Sequence, residues 1–169
     1  MKGLKSLIAK HYTKEEFAWI MQDWANSVYS LMITTAIFPL YFKTVSSNAG
    51  LSAADSTAFL GYANSIATFA VSIMAPVLGA LADYKGYRNP MFTWSTLLGV
   101  FSVIGMMFAE TDQWILLLAL YTLSAIGYSA SNIFYDSSIM DVTTYDRMDR
   151  ISAAGYGYGY IGSVFPFVL

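Results

Sequence analysis

The sequence predicts an all-α, multi-pass transmembrane helix bundle, and three observations carry that prediction. The 169 residues are 56% hydrophobic and only 12% charged, with a mean hydropathy of +0.49, whereas a soluble domain has roughly 25% charged residues to solvate its surface. The charges are grouped, and the stretches between the groups are long enough to cross a bilayer. Those stretches do not alternate apolar with polar, as the ~10-residue strands of a membrane barrel must. Helices, which satisfy every backbone group within the segment, are the solution left in lipid.

Charges serve as rulers, because an Asp, Lys or Arg at mid-membrane costs about 2.5–3.5 kcal/mol and a crossing takes ~20 residues. Uncharged runs of 19, 27, 21 and 23 residues lie between Asp23 and Lys43, Asp55 and Asp83, Arg88 and Glu110, and Asp112 and Asp136, and a fifth of 19 runs from Ile151 to Leu169. Five spans are expected, at about 17–42, 56–82, 89–109, 113–135 and 151–169, after a polar segment 1–16. In that segment Leu4, Leu7, Ile8 and Tyr12 have helical spacing with lysines between them, which suits either a helix lying on the membrane surface or a solvated tail. The chain stays apolar through Phe165-Pro166-Phe167-Val168-Leu169, without the flanking anchors expected at a span's end, so it reads as part of a longer protein.

Composition removes several function classes. The net charge of −2 offers no basic stripe for nucleic acid. The absence of Cys removes disulfides and thiolate metal sites. No nucleophile–base pair, phosphate loop or metal-ligand spacing is visible, so neither an enzyme nor a cofactor is expected. The partners expected are membrane lipid, a small solute and further helices. Of the nine Lys+Arg, eight (Lys2, Lys5, Lys10, Lys14, Lys85, Arg88, Arg147 and Arg150) fall on one side if the N-terminus is cytoplasmic, leaving Lys43 opposite. The positive-inside rule therefore places the N-terminus in the cytoplasm.

Polar residues within the spans are the candidates for chemistry. Asp23, Asn26 and Ser30 are spaced i, i+3, i+7 and would share one helix face. Asp23 suits either an acid facing the bundle interior, able to carry a proton or meet a cation, or a headgroup-level residue beside the anchors Trp19 and Trp24. Asn64 and Ser65, and Asn132 and Tyr135, can line a cavity or join helices by hydrogen bonds. Gly155-xxx-Gly159 is a small-xxx-small face for close helix packing, interleaved with Tyr156, Tyr158 and Tyr160. Pro76 and Pro166 lie within spans, where neighbours can re-satisfy the freed backbone.

The most specific stretch is Gly79-Ala80-Leu81-Ala82-Asp83-Tyr84-Lys85-Gly86-Tyr87-Arg88, a polar turn between two spans. It resembles the loop between helices two and three of the major facilitator superfamily, Gly-x-x-x-Asp-x-x-Gly-x-Arg, matching at Gly79, Asp83, Gly86 and Arg88. Tyr84 and Tyr87 stand where that family usually has basic residues. The resemblance implies a gating role for these four residues, the Asp latching onto the C-terminal half of the transporter. Asp23-Trp24-Ala25-Asn26-Ser27-Val28-Tyr29 with Phe38-Pro39-Leu40-Tyr41-Phe42, and Ile133-Phe134-Tyr135-Asp136 with Asp141 and the run Ser152–Gly162, are similar to the branch that includes the fungal vacuolar amino-acid effluxer and bacterial relatives. Asp136 stands where that branch has Asn, and it has Pro near Met140. The resemblance covers most of the N-terminal half of such a transporter and implies secondary transport of a small solute, with amino acids first, in the cell membrane or alternatively the vacuolar membrane. The solute or proton would meet Asp23, Asn26, Asn64, Asn132, Tyr135 and Asp136. A non-transporting scaffold or assembly subunit of the same fold, and a sugar or drug permease, are the alternatives.

Overall fold

The computed structural model describes residues 11–84 and 86–168. Most of the expected surface segment, including Leu4, Leu7 and Ile8, lies outside the described residues, as does Lys85. The described chain is helical and divides into two compact units, one running to Ala36 and resuming at Ser138, the other Ile37–Ser137.

The first unit opens with α1, Lys14–Val28. Thr13 caps it: its hydroxyl accepts from the Glu16 amide (3.1 Å), and the Glu16 carboxylate accepts from the Thr13 amide (2.8 Å). Glu15 and Glu16 also place negative charge at the positive end of the helix dipole. From Tyr29 to Ile37 the helix widens into a π-helical stretch. Pro39 follows; it cannot donate to the Thr35 carbonyl and its ring crowds that group, which favours a looser ladder just before it. The Thr35 hydroxyl donates to the Ser30 carbonyl five residues back (3.0 Å). The α-helix that carries Asp23 and Asn26 runs to Val28, and Ser30 stands second in the wider stretch.

The unit resumes with a short α6 (Ile139–Val142), a 3₁₀ turn (Tyr145–Arg147) and α7 (Met148–Val168). Helices α1 and α7 run parallel, and glycines set their separation. A methyl group at Gly155 would meet the Trp19 ring at 3.0 Å and the Asp23 carboxylate at 3.1 Å; one at Gly159 would lie 2.5 Å from the Ser27 hydroxyl; one at Gly162 would overlap the Trp24 indole. Such close approach is what small residues allow between membrane helices. Gly157 faces open space instead.

The second unit contains α2 (Phe38–Asn48), α3 (Ala53–Asp83), α4 (Arg88–Met106) and α5 (Trp114–Ser137). Gly50, at φ +87°, ends α2: its amide and that of Leu51 return to the carbonyls of Ser47 (3.0 Å) and Ser46 (2.9 Å), a Schellman closure that needs the left-handed conformation. Ser52 then caps α3, accepting from the Asp55 amide at 3.1 Å. The buried hydroxyls of Ser46 and Ser56 bond each other at 2.6 Å and join α2 to α3. Two reversals make α3 and α5 parallel, as successive contacts show: Phe59 with Trp114 (4.8 Å between rings), then Asn64 with Tyr121. Helices α4 and α5 are antiparallel and cross at Gly99 and Gly127, where backbone meets backbone. Hydroxyls inside these helices, such as Ser65, Ser72, Ser102 and Thr122, donate to carbonyls of their own helix four residues back, a local solution that avoids unpaired donors in lipid.

Among the described residues, three helices are long and apolar enough to cross a membrane: Lys14–Asn48, taken through its π-helical stretch, Ala53–Asp83 and Trp114–Ser137. The first has 35 residues, more than the ~20 that a crossing takes. Its charged first turn therefore lies beyond the apolar run that starts at Phe17. The other two expected spans correspond to α4 and α7, which are less apolar. Helix α4 opens on Arg88 and Asn89, and α7 opens on Asp149 and Arg150 before a Gly/Tyr run.

Candidate functional site

The Gly79–Arg88 turn joins α3 to α4. Asp83 is the last residue of α3 and is exposed; Tyr84 is extended, and Arg88 opens α4 half-buried. The Tyr87 amide closes the turn on the Tyr84 carbonyl at 3.2 Å. Gly86 has φ +94°, a conformation side chains with a Cβ disfavour, so this glycine is required by backbone geometry. Gly79 is helical, with open space where a Cβ would stand, so the fold of this unit makes no such demand there.

A second group in the same unit joins three helices. Asn64, on an exposed face of α3, accepts a hydrogen bond from the buried Tyr121 hydroxyl of α5 at 2.9 Å. The Tyr121 ring is stacked on Phe38 of α2, with centroids 3.8 Å apart and planes at 8°, and Phe38 in turn lies over Phe42 at 5.8 Å. An aromatic column therefore ends in a phenol that holds one amide. Sequence reasoning named Asn64 but missed Tyr121 and Phe38. Among thirteen tyrosines, nothing local marks Tyr121 as one that points inward. Asn132, Tyr135 and Asp136 lie on the last turns of α5, with Tyr135 buried and Asp136 exposed. From Asn64 to Gly79 is about 22 Å along α3, so the amide and the turn are separate places. Among the described residues, no group of three His, Asp or Glu side chains comes together as a metal site.

In the first unit, Asp23 lies half-buried on the α1 face that meets Gly155. No hydrogen bond to its carboxylate is present among the described residues. Asn26, one turn on, accepts from the Gln22 side chain at 3.3 Å.

One buried and closely bound carboxylate in the unit is a residue that the sequence did not single out. Glu16 is 2% exposed and accepts from the Thr143 hydroxyl (2.6 Å) and from Arg147 Nε (2.9 Å) and Nη2 (2.7 Å), besides its capping bond. Arg147 Nη2 also donates to the His11 carbonyl at 3.0 Å. Burial alone would raise the Glu16 pKa, but the bonds from Arg147, Thr143 and the Thr13 amide, with the Arg147 charge, outweigh it and hold the carboxyl at about 2. The Glu16 bond in turn raises the Arg147 pKa. The pair ties the first turn of α1 to the turn before α7, across about 130 residues of sequence.

Comparison with known proteins fits this architecture. The family model described as "Vacuole effluxer Atg22 like" matches residues 12–169. The chain is 47% identical over 160 residues to a Bacillus subtilis (strain 168) protein described as the uncharacterized MFS-type transporter YxiO, a match covering 95% of this chain. The chain spans only 37% of that relative's length. No solved structure matches it. With a family match that takes in every described helix and a relative of the same superfamily, the chain belongs to the Atg22-like vacuole effluxer family of major facilitator transporters.

Proposed function

We propose that this chain is the N-terminal part of a secondary active transporter that moves a small solute, first of all an amino acid, by alternating access. The observation that carries this reading is the match of residues 12–169 to a family described as vacuole effluxers. The N-terminus lies in the cytoplasm, with helices near 17–42, 56–82, 89–109, 113–135 and 151–169 as the spans. In such folds the solute site lies near the bilayer midplane between two helix bundles that rock against each other. The second bundle belongs to the remainder of a longer protein. Gly79, Asp83, Gly86 and Arg88 form its gating turn, and Asp23 is the candidate proton carrier.

The test is transport by the full reading frame that holds this chain, reconstituted in liposomes loaded with a mixture of labelled amino acids under an imposed pH gradient. Movement of label by the full protein, and none by residues 1–169 alone, is the expected result. Failure of the full protein to move any amino acid removes the substrate assignment, and transport by the short chain removes the two-bundle mechanism. One observation favours a second reading, an assembly subunit of the same fold. Tyr156, Tyr160 and Ile161 are exposed on α7 beside the open Gly157, a surface suited to another helix. A stable, stoichiometric complex without transport would favour that reading.

A further inference from the structure

We propose that Asn64, oriented by Tyr121, is a recognition residue for the carboxylate end of the transported solute; this rests on the transporter reading above. The argument starts from depth. Asn64 is the ninth residue of the 27-residue uncharged run 56–82, roughly 13 Å along it and so within the hydrocarbon region. An amide facing lipid there would leave its donors unsatisfied, at a cost of several kcal/mol per group. Yet Asn64 is exposed, and its one bond among the described residues is the one from Tyr121. Its open side must therefore face a solute, water or another part of the protein.

The bond also decides what that side can recognise. The Tyr121 hydroxyl donates to Asn64 Oδ1, so the oxygen end of the amide is turned toward the buried phenol with one lone pair used, and the amino group, with two N–H donors, is presented outward. One turn along the same face, Thr68 is also exposed and its hydroxyl has no partner among the described residues. Gly61, one turn the other way, leaves open space where a side chain would stand. Donors with room beside them suit an oxygen anion. An ammonium or guanidinium, which needs acceptors, would find only the Thr68 oxygen and the second lone pair of Asn64 Oδ1, beside two N–H donors that repel it. Tyr121 cannot turn away easily, because its ring is 1% exposed and stacked on Phe38. It is a positioning residue, fixing which end of the Asn64 amide faces out.

The experiment is counterflow by the full protein in liposomes, using labelled L-amino acids and, as competitors, the same molecules without the carboxyl group, such as isoamylamine against leucine. The expected result is that Asn64→Ala raises KM for the amino acid about tenfold or more, as loss of a hydrogen bond to a charged group does. Tyr121→Phe should raise KM less while leaving kcat and protein yield unchanged. Asn64→Asp should abolish binding of the carboxylate, and isoamylamine should not compete in the parent. An unchanged KM in both Asn64→Ala and Tyr121→Phe, with the parent active, overturns the assignment and leaves the transporter reading standing. Lower yield in Asn64→Ala with an unchanged KM in Tyr121→Phe overturns it in favour of a helix-packing amide. If the parent moves no amino acid at all, the reading beneath the proposal falls, and the proposal with it.

Discussion

Replacing Gly127 with Ala should destabilise the second unit, and the geometry says by how much. The added methyl would stand 2.6 Å from the Gly99 amide nitrogen, 2.8 Å from the Ser95 carbonyl and 3.1 Å from Gly99 Cα. All three neighbours are backbone, so no side chain can swing aside. Bringing these contacts to an ordinary 3.5 Å or more requires α4 and α5 to part by nearly 1 Å. A gap of that size forfeits about a quarter to a half of the dispersion energy along the crossing, consistent with the ~1–3 kcal/mol that overpacking costs. Ala is a better helix former than Gly by about 1 kcal/mol, so the net loss is up to about 2 kcal/mol. Two controls share the helices of this unit. At Gly105 the nearest atom is the Leu120 Cδ2 at 3.2 Å, a side-chain end that can rotate, so Gly105→Ala should be near neutral. At Gly61 nothing lies within 4 Å, so Gly61→Ala should gain up to about 1 kcal/mol. Thermal unfolding in mild detergent, followed by circular dichroism, reads the order, with about 2–4 °C per kcal/mol for a chain of this size. Gly127→Ala melting at or above the parent, with Gly61→Ala below it, would refute the close crossing.

Gly86→Ala should cost about 1–3 kcal/mol, because φ +94° strains any residue with a Cβ, whereas Gly79→Ala, like Gly61→Ala, should melt at or above the parent; equal melting of Gly86→Ala and Gly79→Ala would remove the backbone account of the turn. Glu16 has its pKa lowered from 4.5 to about 2, so its contribution is fully present above pH 4.5 and fades as pH falls toward 2. Melting temperature should therefore change little through Glu16 between pH 7 and 5. Arg147→Met should move the onset of acid unfolding to higher pH, and an acid midpoint unmoved by that change would dismiss the ion pair. Gly162→Ala should shift tryptophan emission, since the added methyl displaces the Trp24 indole, while Gly157→Ala should leave the spectrum unchanged.

The all-α architecture was legible because lipid leaves few solutions: long uncharged runs must satisfy their backbone groups within the segment, as helices do. The Gly86 turn and the Gly155–Gly159 face were legible because glycine carries a backbone reason wherever it is required. Three features were not. The π-helical stretch depends on how Pro39 perturbs a ladder that begins ten residues earlier. The Gly99–Gly127 crossing joins two isolated glycines on different helices, with no local repeat to announce it. Glu16 looked like one charge in a polar tail, and its partner Arg147 like a topology signal, because a pair separated by so much sequence has no local signature. The same holds for Asn64 and Tyr121: Asn64 stood out as a polar residue within a span, but its pairing with Tyr121 is a property of parallel helices in register.

Asp23 is the residue for which stability and function should move in opposite directions, and that separation decides its role. It lies about 9 Å along the helix axis from Phe17, where the apolar run begins, half-buried against Gly155, with no hydrogen bond to its carboxylate among the described residues. A carboxylate at such depth is costly, by up to about 2.5–3.5 kcal/mol at the centre of a span, and nothing described around it offsets that cost. Asn has nearly the same shape and no charge. If Asp23 is kept for proton coupling, Asp23→Asn should raise the melting temperature while abolishing pH-driven uptake by the full protein and sparing exchange without a gradient. If Asp23 instead sits at headgroup level and helps anchor the helix, the same change should lower the melting temperature or leave it unmoved, and pH-driven uptake should survive. Asp23→Glu separates charge from geometry. A proton carrier retains some coupling when the carboxyl is kept, whereas a residue fitted closely against Gly155 loses stability when one methylene is added to that contact.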